Sequence, residues 1–345
     1  MSSLDKIKKG ALRDGWTASV EDYAIACEWG LKGNILLTGD IKGNMYGFES
    51  KSGEILWEKN NTHNNLLAMK IHPDGKTFVS AGQDGFISIN NAENGEIIET
   101  IEIGQQWVEH VAWSPDGRWL GVTNSREVIV LSSSGKKQWR SSEHASTVSA
   151  ISWSNINELA VACYGKVIIY DILTGNTQQK LEWKGSLISM VLSPDGDIIA
   201  CGSQDNTVHF WRRSTGHDSM MRGYPGKPTN LTFDSSGTLL ATGGSEAVTV
   251  WSFKNSGPEG TAPGELELHE KAISCLSFAP NGKRLASGSK DGSIAVWFLN
   301  DDGNGDVMGS AIMNARVSNI AWRPDGRALA ASNAIGEVTT WRVNK

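Results

Sequence analysis

The sequence predicts an all-β fold: a closed ring of short four-stranded sheets, eight of them if the N-terminus supplies a strand to the last. Three observations lead there. The stretch "SFAPNGKRLASGSKDGSIAVWFL", Ser277 to Leu299, reads as strand, turn, strand, turn, strand. The same pattern recurs along the chain at near-constant spacing. The composition, with 38 glycines, 14 tryptophans and 39% hydrophobic residues, suits many short strands and turns packed face to face.

Within the opening stretch, Ile273 to Phe278 is read as a first strand. Pro280-Asn281-Gly282 is a turn, because proline presets φ and glycine accepts a backbone angle that side chains resist. Lys283 to Ser289 is a second strand and Lys290-Asp291-Gly292 a second turn. Ile294, Val296 and Phe298 then alternate along a third strand. Such a sheet has two apolar faces and is too small to stand alone.

Aligned on the first turn, equivalent stretches fall at Leu31, Pro73, Pro115, Asn155, Pro194, Ser235, Pro280 and Pro324, spaced 39 to 45 residues apart. A period of that size with four strands per unit belongs to the blades of a β-propeller. The eighth unit stops at Trp341-Arg342-Val343, a strand short. Ala11 to Trp16 is therefore expected to return as its outer strand, which would leave the ring no free edge. Because "ALRDGW" has weak strand propensity, seven blades plus a decayed segment is the alternative. Residues 1–345 are read as one domain.

The "SPDG" and "SGSKDG" turns, and the tryptophans closing third strands (Trp211, Trp251, Trp297, Trp341), resemble WD-repeat β-propellers. The resemblance covers nearly the whole chain. It is inexact, since Arg212, Ser252, Phe298 and Arg342 stand where the family has Asp, and only Tyr170-Asp171 keeps the acid. The resemblance implies a structural hydrogen-bonded set in the seventh unit, His269, Ser287 (or Ser289), Asp291 and Trp297. It also implies partial sets with His63 and Asp84, or Asp205 and Trp211, and places His144 among the structural histidines. His72, before a turn proline, is expected to be exposed.

Composition narrows the function classes. A formal charge of −6 offers no electrostatic footprint for nucleic acid. No stretch approaches the roughly twenty apolar residues of a membrane span. "MSSLDKIKKG" lacks the apolar core of a secretory signal. Four cysteines scattered among strands (Cys27, Cys163, Cys201, Cys275) suggest buried thiols and a cytoplasmic setting. There is no GxSxG, Walker-type loop, CxxC or HExxH, and no cofactor is expected.

Two constellations remain. In "GQQWVEHVAW", Gly104 to Trp113, Trp107 sits at the loop joining two blades. Its equivalents are Tyr23, Asn65, Thr147, Ser186, Lys227, Ala272 and Arg316, so Tyr23, Trp107, Glu109, His110, Lys227 and Arg316 form a candidate partner-binding rim at one mouth of the central channel. A Trp107 folded onto its own blade is the alternative. His110 stands where other units carry Ala26, Ala68, Ala150, Ser189, Asn230, Cys275 and Asn319, either filling space or pointing into the channel. The second constellation is the Gly/Pro-rich loop Lys254 to Gly264, on the opposite face. The stretches "WVEH" and "GPEGTAP" resemble bacterial, notably cyanobacterial, single-domain WD-repeat proteins.

The leading expectation is a non-catalytic scaffold that binds protein or peptide partners. The alternatives are an accessory protein in metal homeostasis working with a CobW-like GTPase, which the bacterial resemblance implies, and a quinone-dependent dehydrogenase. The last draws on "GFESKSGEILW", Gly47 to Trp57, which resembles the repeats of eight-bladed quinoproteins.

Overall fold

Tight turns set the sheets. In blade 7, glycines at positive φ, Gly282 (+76°) and Gly292 (+90°), reverse the chain between Ile273–Phe278, Arg284–Ser289 and Ser293–Leu299. The outer strand, Gly305–Ile312, follows. The computed structural model describes residues 10–344 apart from 61, 62, 64, 155, 156 and 256. The basic opening stretch up to Lys9, and the expected turn position Asn155, lie outside the described residues.

Among the described residues the strands form eight antiparallel four-stranded sheets, each ordered from the channel outward. The innermost strands begin at Ala24, Leu66, Val111, Ala150, Leu187, Asn230, Ile273 and Val317. The eighth sheet joins Val317–Trp322, Ala328–Asn333 and Glu337–Val343 to the N-terminal strand Leu12–Ser19. This decides for eight blades over seven. The closing strand is longer than expected and shifted from Ala11–Trp16. Its register against the last strand slips between Asp14 and Thr17, and Trp16 sits at that bulge. Thr17, Ala18 and Ser19, paired with Thr339, Val338 and Glu337, supply the pairing that "ALRDGW" alone lacks.

The core is not one centre but a series of interfaces. Each buried cluster draws on two neighbouring blades: Leu36, Phe48 and Trp29 meet Ala330 and Val338 between blades 1 and 8, and Leu239 and Val250 meet Leu285 and Trp297 between blades 6 and 7. Third strands are therefore apolar on both faces, Ile294 and Val296 toward blade 8 and Ala295 and Trp297 toward blade 6. Phe298, read as continuing the alternation, lies beyond a bulge at Val296/Trp297 and is exposed.

Tryptophans also latch blade to blade. On inner strands they reach backward: Trp29 Nε1 donates to Ala321 O (3.0 Å), Trp153 to Ala112 O (2.7 Å) and Trp322 to Ser277 O (2.9 Å). On outer strands they reach forward: Trp16 donates to Ser50 O (2.9 Å), Trp57 to Ala92 O (3.2 Å) and Trp139 to Ile172 O (2.6 Å). Each outer indole lies on a glycine of the next blade, Gly53, Gly95 or Gly175, so closely that a Cβ there would collide with the ring. His72, expected to be exposed, is another such latch. Its Nε2 lies 2.8 Å from Gly117 O and its ring meets Trp113 edge-on, because the neighbouring blade's turn closes over it.

Candidate interaction surface

The histidine networks show how the loops of one face are anchored. In blade 7, His269 Nε2 lies 2.7 Å from Ser287 Oγ, which also accepts from Trp297 Nε1 at 2.8 Å. His269 Nδ1 lies 2.6 Å from Ser293 Oγ, and that hydroxyl donates to Asp291. Ser287, not Ser289, is thus the member in contact, and Asp291 reaches the imidazole through Ser293. Burial pushes His269 down to about 4, so it is neutral at pH 7. Blade 2 repeats the set with Asn90 in place of Trp: His63 contacts Asp84 and Ser80, each at 3.0 Å, and Asn90 donates to Ser80 at 3.0 Å. In blade 4, His144 Nε2 lies 3.0 Å from Tyr170 OH.

Blades 5 and 6 solve the same site differently, in ways the sequence reading missed. Tyr224 takes the histidine's place in blade 6; its hydroxyl accepts from Trp251 Nε1 (2.7 Å) and Thr242 Oγ1 (2.9 Å). In blade 5 the place belongs to Trp183, which stacks on His209, and the hydrogen-bonded chain is gone. An aromatic residue three positions before the loop entry, Trp183 before Ser186 and Tyr224 before Lys227 as His269 stands before Ala272, is the signal that could have marked both.

Tyr23, Asn65, Ser186, Ala272 and Arg316 occupy equivalent places. Each carbonyl accepts from the residue just past its own blade's second strand, namely Ile41, Gln83, Gln204, Lys290 and Ala334, at 2.9 to 3.1 Å. Tyr23 and Arg316 therefore stand side by side on adjacent blades. Trp107 is 52% exposed rather than folded onto its blade. Glu109, Lys227 and Arg316 are exposed, and Tyr23 is partly covered. The same face carries apolar groups not singled out from the sequence. Ile41, Tyr164 and Ile335, all in turns between second and third strands, are 37%, 61% and 62% exposed.

Below this rim, His110 lines a cavity of about 260 Å³ in the channel together with Ala26, Ala68, Ala150 and Asn319. These are its aligned equivalents. Its imidazole has no hydrogen-bond partner among the described residues, and burial lowers its pKa against the opposing charge of Glu109. Further down the same wall, Lys70 pairs with Glu28 at 2.5 Å, and Glu28 holds the ammonium pKa up. Among the described residues no group of three or more His, Cys, Asp and Glu could hold a metal ion, and the cysteines are free thiols. Among the described residues no helix is long and apolar enough to cross a membrane.

Residues 260–297, the span that holds the His269–Ser287–Trp297 network, match the family model described as WD domain, G-beta repeat. The chain belongs to the WD-repeat β-propeller family. A second model, described as Outer membrane protein assembly factor BamB, matches residues 9–220, which hold all three outer tryptophan latches. Among relatives, the WD-repeat protein is 27% identical over 286 residues to Actin-interacting protein 1 of Caenorhabditis elegans, covering 75% of this chain and 44% of that one. It is 24% identical over 256 residues to Cell division cycle 20.1, cofactor of APC complex, of Arabidopsis thaliana, covering 69% and 46%. It thus spans less than half the length of either. Among solved structures, the C-terminal WD40 domain of Sif2 superposes with TM-score 0.82 at 15% identity, over 97% of this chain and 99% of that one. The computationally designed Ika8 protein also gives 0.82, at 20% identity, over 97% and 100%.

Proposed function

We propose that this WD-repeat propeller is a non-catalytic scaffold that binds a protein or peptide partner across the mouth of its channel, with Trp107 as the principal anchor. The single observation that carries the reading is the half-exposed indole of Trp107 on a face that also presents Tyr164, Ile41 and Ile335. The ring is closed and its interfaces are filled without these side chains, so folding does not account for them. Exposed apolar groups gathered on one face mark interaction surfaces, and tryptophan, tyrosine and arginine are the residues where binding energy concentrates.

Arg316 and Lys227 add cations to the opposite side of the same mouth, which favours a partner segment combining an apolar anchor with acidic residues. The relatives named for binding actin or serving as a complex cofactor support a protein partner in kind, not in identity. An affinity capture from the native host with the intact protein, run in parallel with Trp107→Ala, tests the reading. A partner retained by the first and lost by the second supports it; equal retention by both sinks it.

A further inference from the structure

We infer that a groove on the side of the ring, between blades 5 and 6, holds an extended peptide segment that carries a basic side chain. This site lies away from the channel mouth and does not depend on the reading above.

The groove exists because blade 6 is unfinished on its outer side. Its outer strand has only three residues, Gly264–Leu266, paired with Val248, Thr249 and Val250. Blade 7, by contrast, covers its whole third strand, Ser293 to Leu299. Trp251, the next residue along, is left without an outer neighbour strand. The Pro/Gly-rich loop turns away instead and is tied to blade 5: Arg212 donates to Gly257 O, and Glu259 lies 2.9 Å from His217.

Two cavities result. The lower, about 310 Å³, lies between Met221 of blade 5 and Pro258 to Thr261 of the loop, with Phe210 and Trp251 in its wall. The upper, about 370 Å³, lies among Tyr224, Pro225, Trp251 and Pro263. Trp251 and Arg222 line both, so the two run end to end. The shape is long and narrow, which suits a chain in extended form.

Charge decides the occupant. Glu246, Glu265 and Glu267 line the upper cavity, and among the described residues none forms an ion pair. Glu259 in the lower cavity is already paired with the guanidinium of Arg212 at 3.7 Å. The cation lining the junction, Arg222, repels a basic residue there. A lysine or arginine of the segment therefore belongs in the upper half, its methylenes against Trp251 and Pro263 and its charge among the three carboxylates. An apolar residue belongs below, between Phe210 and Pro258.

The test pans a displayed library of random linear peptides against the full chain. The expected outcome is enrichment of peptides with Arg or Lys spaced from an apolar residue. A labelled enriched peptide, followed by fluorescence anisotropy, should bind at least about tenfold more weakly to the Glu246→Gln/Glu265→Gln/Glu267→Gln variant and weaken with added salt. It should bind Trp107→Ala unchanged. All three glutamates are exposed, so the variant keeps its fold. No enrichment, enrichment of acidic or purely apolar peptides, unaltered affinity in the triple variant, or loss in Trp107→Ala would each overturn the assignment.

Discussion

The imidazole of His209 stacks on the indole of Trp183, ring centres 3.8 Å apart and planes 22° apart, while Trp211 closes its other side edge-on at 4.3 Å. In this slot neither ring nitrogen makes a hydrogen bond, and Asp218 Oδ2 stands 3.2 Å from Nε2. Burial outweighs the attraction of Asp218 and Asp205 and pushes His209 down from 6.5 to about 4.

Acid sensitivity follows. Because the folded protein binds these protons less readily than the unfolded chain, His209 and His269, which is also pushed down to about 4, leave stability untouched above pH 6.5. Stability is then lost progressively as pH falls from 6.5 toward 4, at about 1.4 kcal/mol per pH unit for each buried neutral histidine. Urea unfolding across that window should show the decline, and His209→Phe should make it shallower. A wild-type profile that is flat from pH 7 to pH 4 would refute the assignment.

Ring closure depends on Trp16, whose indole packs 5.6 Å from Phe48 and donates to Ser50 O, joining blade 8 to blade 1. Trp16→Ala should cost about 3 kcal/mol by leaving a cavity at the seam. Removal of residues 1–19 should expose the edge of Glu337–Val343 and produce aggregation visible by light scattering. A truncated protein that stays monodisperse with an unchanged melting temperature would contradict the seam described above.

The latch of Trp57 on Gly95 can be isolated from backbone strain. Gly95 and Gly216 have nearly the same φ, +69° and +70°, but a Cβ on Gly95 would lie 2.4 Å from the indole whereas one on Gly216 meets nothing within 4 Å. Gly216→Ala should cost about 1 kcal/mol, the expense of a side chain at positive φ. Gly95→Ala should cost about 2 kcal/mol more through displacement of the ring. Equal losses, read by chemical denaturation, would show that the indole moves aside freely.

Two tryptophans should behave oppositely. Trp107→Ala should reduce capture of a channel-mouth partner by about 2 kcal/mol while leaving unfolding almost unchanged. Trp297, 3% exposed and bound to Ser287, should when replaced by Ala cost about 3–5 kcal/mol of stability. Unfolding of Trp107→Ala with binding intact in the folded fraction would make Trp107 a packing residue.

Residue order by itself determined the repeat, the turns and the blade count within one. Pro-x-Gly turns and alternating strands are local, and a period long enough for four strands admits few closed forms. It also marked Trp107 and Arg316 at loop entries, because aligned repeats place equivalent residues on one face. Only the tertiary structure decided which neighbours those positions acquire. Thr17 and Ser19 complete the closing strand because Glu337–Val343 is there to pair with them. Tyr224 replaces a histidine because its hydroxyl reaches Trp251 and Thr242 across the blade. Tyr164, Ile41 and Ile335 join Trp107 on one face, and Glu246, Glu265 and Glu267 gather over Trp251, through ring closure and a strand cut short. These are contacts between segments distant in sequence, set by packing and burial rather than by any propensity written into a single repeat.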